Sequence, residues 1–208
     1  MAGDRLISVE DLKEWLGEFA RLIFAHRDEL TDLDAAIGDA DHGNNMSRGM
    51  AAVAADLSGT TVADLAKRAG MTLVSSVGGA SGPLYGTFFL RFASAAGEVD
   101  ELDASSFAVA MRAGLDGLVS RGKAEVGDKT MVDALAPAVD ALERSRAQPL
   151  SAGLDAARRA ADEGRDATVA MVARKGRASY LGDRSIGHQD PGATSAALLI
   201  RAASTTLG

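Results

Sequence analysis

The residues best suited to chemistry lie in one short run, Asp34-Ala-Ala-Ile-Gly-Asp39-Ala-Asp41-His42-Gly43-Asn44-Asn45. Three carboxylates fall within eight residues, around Gly38 and Gly43, which permit tight backbone turns. Three close carboxylates do not all stay ionised cheaply without a cation. An oxygen-only donor set selects a hard ion, Mg2+ or Ca2+, over zinc. The EF-hand pattern is absent, since neither its glycine nor its closing glutamate is in place. Asp, Asn and Gly are also common helix caps and turn formers. The local density, with His42 and two asparagines added, favours a cation site over capping alone. For His42 itself, metal ligand, phosphate donor and capped surface histidine all stay open.

A second run is Val77-Gly78-Gly79-Ala80-Ser81-Gly82-Pro83-Leu84-Tyr85-Gly86. Backbone amides at a helix start, unobstructed by side chains, form an anion site, and Ser81 adds a hydroxyl. A glycine C-cap followed by a proline-started helix accounts for Gly78 and Pro83 but not for four glycines. Phosphate binding and a plain turn fit this loop equally. His188-Gln-Asp190-Pro191-Gly192-Ala193-Thr194 offers a further helix N-terminus. Arg177 could add a forked cation for a phosphate, although a single arginine is more often solvated surface. Gly117-Leu-Val-Ser-Arg-Gly122-Lys123-Ala124 nearly matches the P-loop pattern. It fails on three counts: alanine replaces the Mg2+-binding hydroxyl, a helix rather than a strand precedes it, and its interior lacks glycine.

Helices must position these loops. Apolar residues recur at three and four, without the alternation of strands. Leu12, Trp15, Leu16, Phe19, Leu22 and Ile23 make one stripe, with Ser8 and Asp11 as its N-terminal cap. Further helices are expected over about 45–57, 61–77, 83–97, 104–120, 129–146, 151–163, 166–174 and 191–206. Thr61 with Asp64 suits a second cap. Asp190-Pro191 suits Ncap and N1 of the last helix. Pro137 should kink its helix or mark the first turn. The stretches 34–48, 78–86, 121–133, 174–183 and 187–194 are expected as polar loops. Alanine-rich stretches permit close packing, or reflect only composition.

Composition narrows the class. The chain has 208 residues, no cysteine and 47% hydrophobic residues. It suits a single domain over residues 1–208, which buries roughly 70% of its unfolded surface. Absent cysteine excludes disulfides, a thiol nucleophile and Cys-ligated metal. No apolar run is long enough to span a membrane, and Met1–Trp15 lacks the apolar core of a secretory signal. A cytoplasmic protein is therefore expected. With 29 Asp and Glu against 22 Lys and Arg, the net charge of −7 argues against nucleic-acid binding.

Four segments together resemble the nucleotide-binding L subunit of dihydroxyacetone kinases. They are Ile37-Gly-Asp39-Ala-Asp41-His42-Gly43-Asn-Asn45-Met46, Gly78-Gly-Ala-Ser81-Gly-Pro-Leu-Tyr-Gly86, Gly127-Asp-Lys-Thr130-Met131-Val-Asp133 and Gly187-His-Gln-Asp190-Pro-Gly192. The resemblance runs from Trp15 to the last helix. It implies an all-α antiparallel barrel of about eight helices, with ADP or ATP and two Mg2+ among the loops at one end. It assigns Asp34, Asp39 and Asp41 to Mg2+. It places His42, Gly43, Asn44, Asn45, Ala80 and Ser81 along the phosphates and ribose, and Gly122, Thr130 and Met131 on the adenine side. Arg177, Asp190, Pro191 and Gly192 would close the site.

The resemblance further implies a partner K subunit that holds dihydroxyacetone on a histidine, so acceptor-side catalytic residues are expected there. It also implies a phosphocarrier protein of the phosphotransferase system that rephosphorylates ADP in place. A transcription regulator as partner, and a homodimer, stay open. Other readings are an ATP-consuming kinase subunit for another ketose such as a tetrulose, a nucleotide-dependent regulatory protein, and a metal-dependent phosphohydrolase. Residue 40 is Ala where the family frequently has glycine, and no loss is expected from it.

Overall fold

The computed structural model describes residues 5–208; Met1–Asp4, the start of the N-terminal segment discussed above, lie outside the described residues. A two-residue strand β1 (Ile7–Ser8) pairs antiparallel with β2 (Glu101–Leu102). The rest is helical: α1 (Val9–Ala25), α2 (Arg27–Ile37), α3 (His42–Ala55), α4 (Val62–Ser76), α5 (Ser81–Ala96), α6 (Ala104–Gly122), α7 (Val132–Arg144), α8 (Leu150–Ala167) and α9 (Pro191–Thr206). No helix among them is long and apolar enough to cross a membrane.

The caps expected from the sequence form. Ser8 and Asp11 exchange the two bonds of a capping box at α1. Thr61 caps α4 through the Asp64 amide, and Asp190 caps α9 through the Ala193 amide. The stripe Leu12, Trp15, Leu16, Phe19, Leu22 and Ile23 is the buried face of α1.

Helix α1 packs on α3, then α3 on α4, α4 on α5, and so on through α9, which returns to α1. This closes a ring of eight helices, α1 and α3–α9, with α2 packed outside against α3 and α9. The N-termini of α3, α5, α7 and α9 and the C-termini of α4 and α6 all gather at one end, so successive helices run in opposite directions. The ring interior is aromatic. Trp15 packs against Phe89, Phe92 and Phe107 at centroid distances of 5.7–6.0 Å and donates its indole N–H to the Leu199 carbonyl at 3.0 Å. In α9, Ala193, Ala196, Ala197, Ala202 and Ala203 are all buried, so close packing is one use of its alanines.

Several expected boundaries are corrected. Helix α2 occupies part of the expected loop at 34–48; its apolar stripe is too sparse to read, with only Leu30, Asp34 and Ile37 buried. Helix α3 starts at His42, and α5 starts at Ser81 rather than 83. The helix expected over 166–174 does not form. Helix α8 ends at Ala167, a single 3-10 turn follows over Thr168–Ala170, and Met171 is extended. Tertiary bonds hold that strand open: the Lys129 ammonium binds the Met171 carbonyl, and the Arg174 amide binds the Asp128 carbonyl. Residues Arg177–Ser185, expected as loop, form a 3-10 segment broken at Gly182. Pro137 lies inside α7, beyond its first turn, and the helix continues through it.

Candidate functional site

The last turn of α2 ends when the Gly38 amide bonds the Asp34 carbonyl at 2.5 Å. The chain then reverses through Ala40, whose φ is +62°. Only glycine adopts that region freely; an L side chain there is strained. The reversal brings Asp41 and His42 back over Asp34, whose Oδ2 accepts their amides at 2.8 and 3.1 Å. Asp34 thus satisfies amide donors at the start of α3, and Asp41, its N-cap residue by position, makes no side-chain cap bond.

Each of Asp34, Asp39 and Asp41 offers an oxygen within 4.8 Å of the other two. Asp34 is buried; Asp39 is exposed and meets Arg177 Nη2 at 3.0 Å. Among the described residues, Asp39 is the one of the three carboxylates that forms an ion pair. The donor set is all oxygen and suits Mg2+.

The carboxylates open onto a cavity of about 570 Å3, within the usual range for a small-molecule site. Helices α3, α5 and α9 present their first residues, His42, Ser81 and Pro191, to it. The partial positive charge of a helix start favours anions. At α5 no side chain caps the N-terminus, so its first amides stay free for a ligand.

The glycine loop is partly explained by packing. Gly79 takes φ +65°. A Cβ on Gly78 would lie 2.8 Å from Asn45 Oδ1, and one on Gly82 would strike the Val77 carbonyl. The turn therefore lies directly on the Asn45 amide. The cavity lining also includes apolar side chains, Pro83, Leu84, Leu118, Ala124, Met131 and Val132.

His42 is buried and bonded at both ring nitrogens, Nε2 to Ser195 Oγ at 3.0 Å and Nδ1 to Ser81 Oγ at 3.2 Å. Ser195 Oγ in turn meets the buried Tyr85 hydroxyl at 2.8 Å. Burial pushes the His42 imidazole below its ordinary pKa, against the pull of Asp34 and Asp41. Burial thus disfavours its charged form, and both ring nitrogens are engaged in hydrogen bonds. Burial likewise raises the Asp190 carboxyl to about 7, and the nearby Asp133 and Asp34 add to the rise.

Of the residues singled out in the sequence, Asp34, Asp39, Asp41, His42, Asn45, Ala80, Ser81, Gly122, Thr130, Met131, Arg177, Asp190, Pro191 and Gly192 all line this cavity. Gly43 and Asn44 do not. Gly43 packs against the Arg27 carbonyl and Thr31 of α2, and Asn44 is exposed.

Lys129 and Asp133 were not singled out. Lys129 takes φ +63°, lines the cavity, and donates to the Met171 and Ser185 carbonyls at 3.1 and 2.6 Å. It thereby fastens both ends of the segment that carries Arg177. Asp133 accepts the Gly127 and Thr130 amides at 2.5 and 2.8 Å and shapes the loop before α7. Both stand in the quoted segment Gly127–Asp133, but their partners lie in backbone geometry that sequence does not display.

The DAK2 domain model matches residues 36–205. The chain is 48% identical to the "PEP-dependent dihydroxyacetone kinase, ADP-binding subunit DhaL" of Escherichia coli, covering 94% of this chain and 95% of that protein. It is 44% identical to the corresponding subunit of kinase 1 of Listeria innocua, over 90% and 91% of the two chains. The crystal structure of the C. freundii dihydroxyacetone kinase in complex with AMP-PNP and Mg2+ superposes with a TM-score of 0.73 at 25% identity, over 99% of this chain. This chain spans 36% of that kinase's length.

Proposed function

The chain belongs to the DAK2-domain family, and from that premise we propose that it is the ADP-binding subunit of a dihydroxyacetone kinase, a phosphotransferase that works as half of a shared active site. The observation that carries this reading is the convergence of Asp34, Asp39 and Asp41 on a cavity lined also by helix starts and by apolar side chains. A cation site, an anion site and apolar lining in one cavity suit an adenine nucleotide with its phosphates at the carboxylates.

Mg2+, two ions in the full reading, would be held by Asp34, Asp39 and Asp41 and would neutralise the charge that phosphoryl transfer develops. The chain's own groups do the positioning. The free amides at the start of α5 and the Ser81 hydroxyl aim at phosphate oxygens, in the manner of fixed dipoles. Arg177 offers a forked guanidinium at the mouth. Leu84, Leu118 and Met131 would take the base.

Acceptor chemistry is not provided by the cavity histidine. His42 is buried and engaged at both nitrogens, so it is not free to hold a carbonyl substrate. The acceptor, dihydroxyacetone, would come bound to a partner K subunit docked over the mouth. The names of the Escherichia coli and Listeria relatives, both PEP-dependent, support rephosphorylation of ADP in place by a phosphocarrier over consumption of free ATP. The place of action would be the cytoplasm.

The test is to load the chain with ATP and Mg2+ and add dihydroxyacetone, with and without a K subunit. One phosphoryl group transferred per chain, only with the K subunit present, is the expected result. Full-rate transfer by the chain alone, or steady phosphate release from ATP by the chain alone, would overturn the reading.

A further inference from the structure

We propose that Arg48 is a positioning residue: it holds the Asn45 side-chain amide with its N–H groups facing the cavity, so that Asn45 donates to a bound phosphate. The inference rests on the nucleotide reading above and adds a residue to it.

Arg48 stands one turn after Asn45 on α3 and is exposed. Its Nη2 donates to Asn45 Oδ1 at 2.8 Å, and its Nε donates to the Ser76 carbonyl at 3.0 Å. A guanidinium has five donors and no acceptor. Whatever atom of Asn45 faces it must therefore be the carbonyl oxygen. Chemistry alone fixes the amide orientation. The amide nitrogen is left on the opposite side. Nδ2 has no bond to any described residue, and among the described residues no buried side-chain nitrogen or oxygen lacks a partner, so Nδ2 is accessible on a residue that lines the cavity.

The second bond of Arg48 matters as much as the first. Ser76 is the last residue of α4, immediately before the Gly78–Ser81 turn. The backbone of Gly78 rests against the same Asn45 amide, with room only for glycine. One guanidinium thus ties the amide, the end of α4 and the glycine turn into a single rigid corner. On that corner two kinds of donor face the same space: the Asn45 Nδ2 and the uncapped amides of α5. Without Arg48 the amide is free to rotate and turn its oxygen toward the ligand, where it would repel a phosphate.

A purely structural role, in which Arg48 only braces α3 against α4, would leave the same contacts. A double-mutant cycle separates the two. The proteins are wild type, Arg48→Met, Asn45→Ala and the double variant, and the probe is ADP with saturating Mg2+ by titration calorimetry. A hydrogen bond from an ionised donor sets the expected scale. Arg48→Met is expected to weaken ADP about ten-fold. The double variant is expected to bind no more weakly than Asn45→Ala, within a factor of about two. Multiplying losses, or an Arg48→Met variant that binds like wild type, would overturn the proposal while leaving the nucleotide reading intact. A wild-type chain that does not bind ADP would overturn the nucleotide reading, and this inference with it. Arg48→Gln, whose amide can still donate to Asn45 Oδ1, runs through the same cycle. It is expected to retain more affinity than Arg48→Met, and replaces it should that variant not fold.

Discussion

The Asp39 carboxylate stands 3.0 Å from the Arg177 guanidinium, joining the α2–α3 turn to the 3-10 segment on the other side of the cavity mouth. The two side chains keep 35% and 69% of their exposure, so water screens the pair. A pair of this kind contributes about 0–1 kcal/mol to stability. Its value lies in where it puts Arg177. Arg177→Met is therefore expected to leave the melting temperature of the nucleotide-free chain nearly unchanged while weakening ATP binding or slowing transfer by at least about ten-fold, the scale of a lost forked cation–phosphate contact. Thermal melts beside single-turnover transfer would check this. A large drop in melting temperature would mean that the arginine is structural.

Asp34 and Asp39 are expected to behave differently. Asp39→Ala removes an exposed carboxylate and should abolish Mg2+-dependent nucleotide retention with little loss of fold. Asp34→Ala also strips the acceptor from two amides at the start of α3. It should cost an additional ~1–3 kcal/mol in the metal-free chain. Circular dichroism and chemical denaturation without ligand, followed by retention assays, separate the two effects. Equal destabilisation by both substitutions would contradict the capping role of Asp34.

Asp190 makes the metal-free chain sensitive to pH. Its carboxyl is raised from 3.8 to about 7 by burial first, so between those values the folded chain keeps a proton that the unfolded chain has lost. Stability from this group is thus present at acid pH and lost as pH rises through about 7, by up to about 1.4 kcal/mol per pH unit. Asp190→Asn retains an oxygen for the Ala193 amide and should flatten the slope. Urea unfolding of both proteins between about pH 4 and pH 7, the span of the shift, measures it. Parallel slopes would rule out Asp190 as the source.

Ala40 pays a backbone cost at φ +62°. Ala40→Gly is expected to stabilise the metal-free chain by about 0.5–1 kcal/mol, the strain relieved less the added freedom of the unfolded glycine. A denaturant midpoint that falls on substitution would contradict this.

Local features of the site were legible in the sequence because they are local. Asp34, Asp39 and Asp41 fall within eight residues, and the caps at Ser8, Thr61 and Asp190 act over three. Strong apolar stripes, as in α1, also survived translation into structure. The missing parts depend on distant partners. Helix α2 is held by packing on α3 and α9 rather than by a stripe of its own. The segment after α8 was read as helix because its residues permit one, whereas Lys129 and Asp128 draw it out from about forty positions away, a tertiary override of weak propensity. His42 carries no mark of Ser195, which it meets across 153 positions of chain. Gly43 and Asn44, assigned to the phosphates through the resemblance, follow His42 on α3 and do not line the cavity, since helical rotation turns them to other faces.

The central claim is that the three aspartates hold the cation through which the cavity retains its nucleotide. The most direct measurement is calorimetric titration of ADP into the stripped chain, once with Mg2+ and once with chelator. The account predicts saturable binding to one site with Mg2+, and at least a ~100-fold loss in chelator, as expected when the charge between carboxylates and phosphates goes uncompensated. Equal affinity in both, or no binding in either, would contradict it.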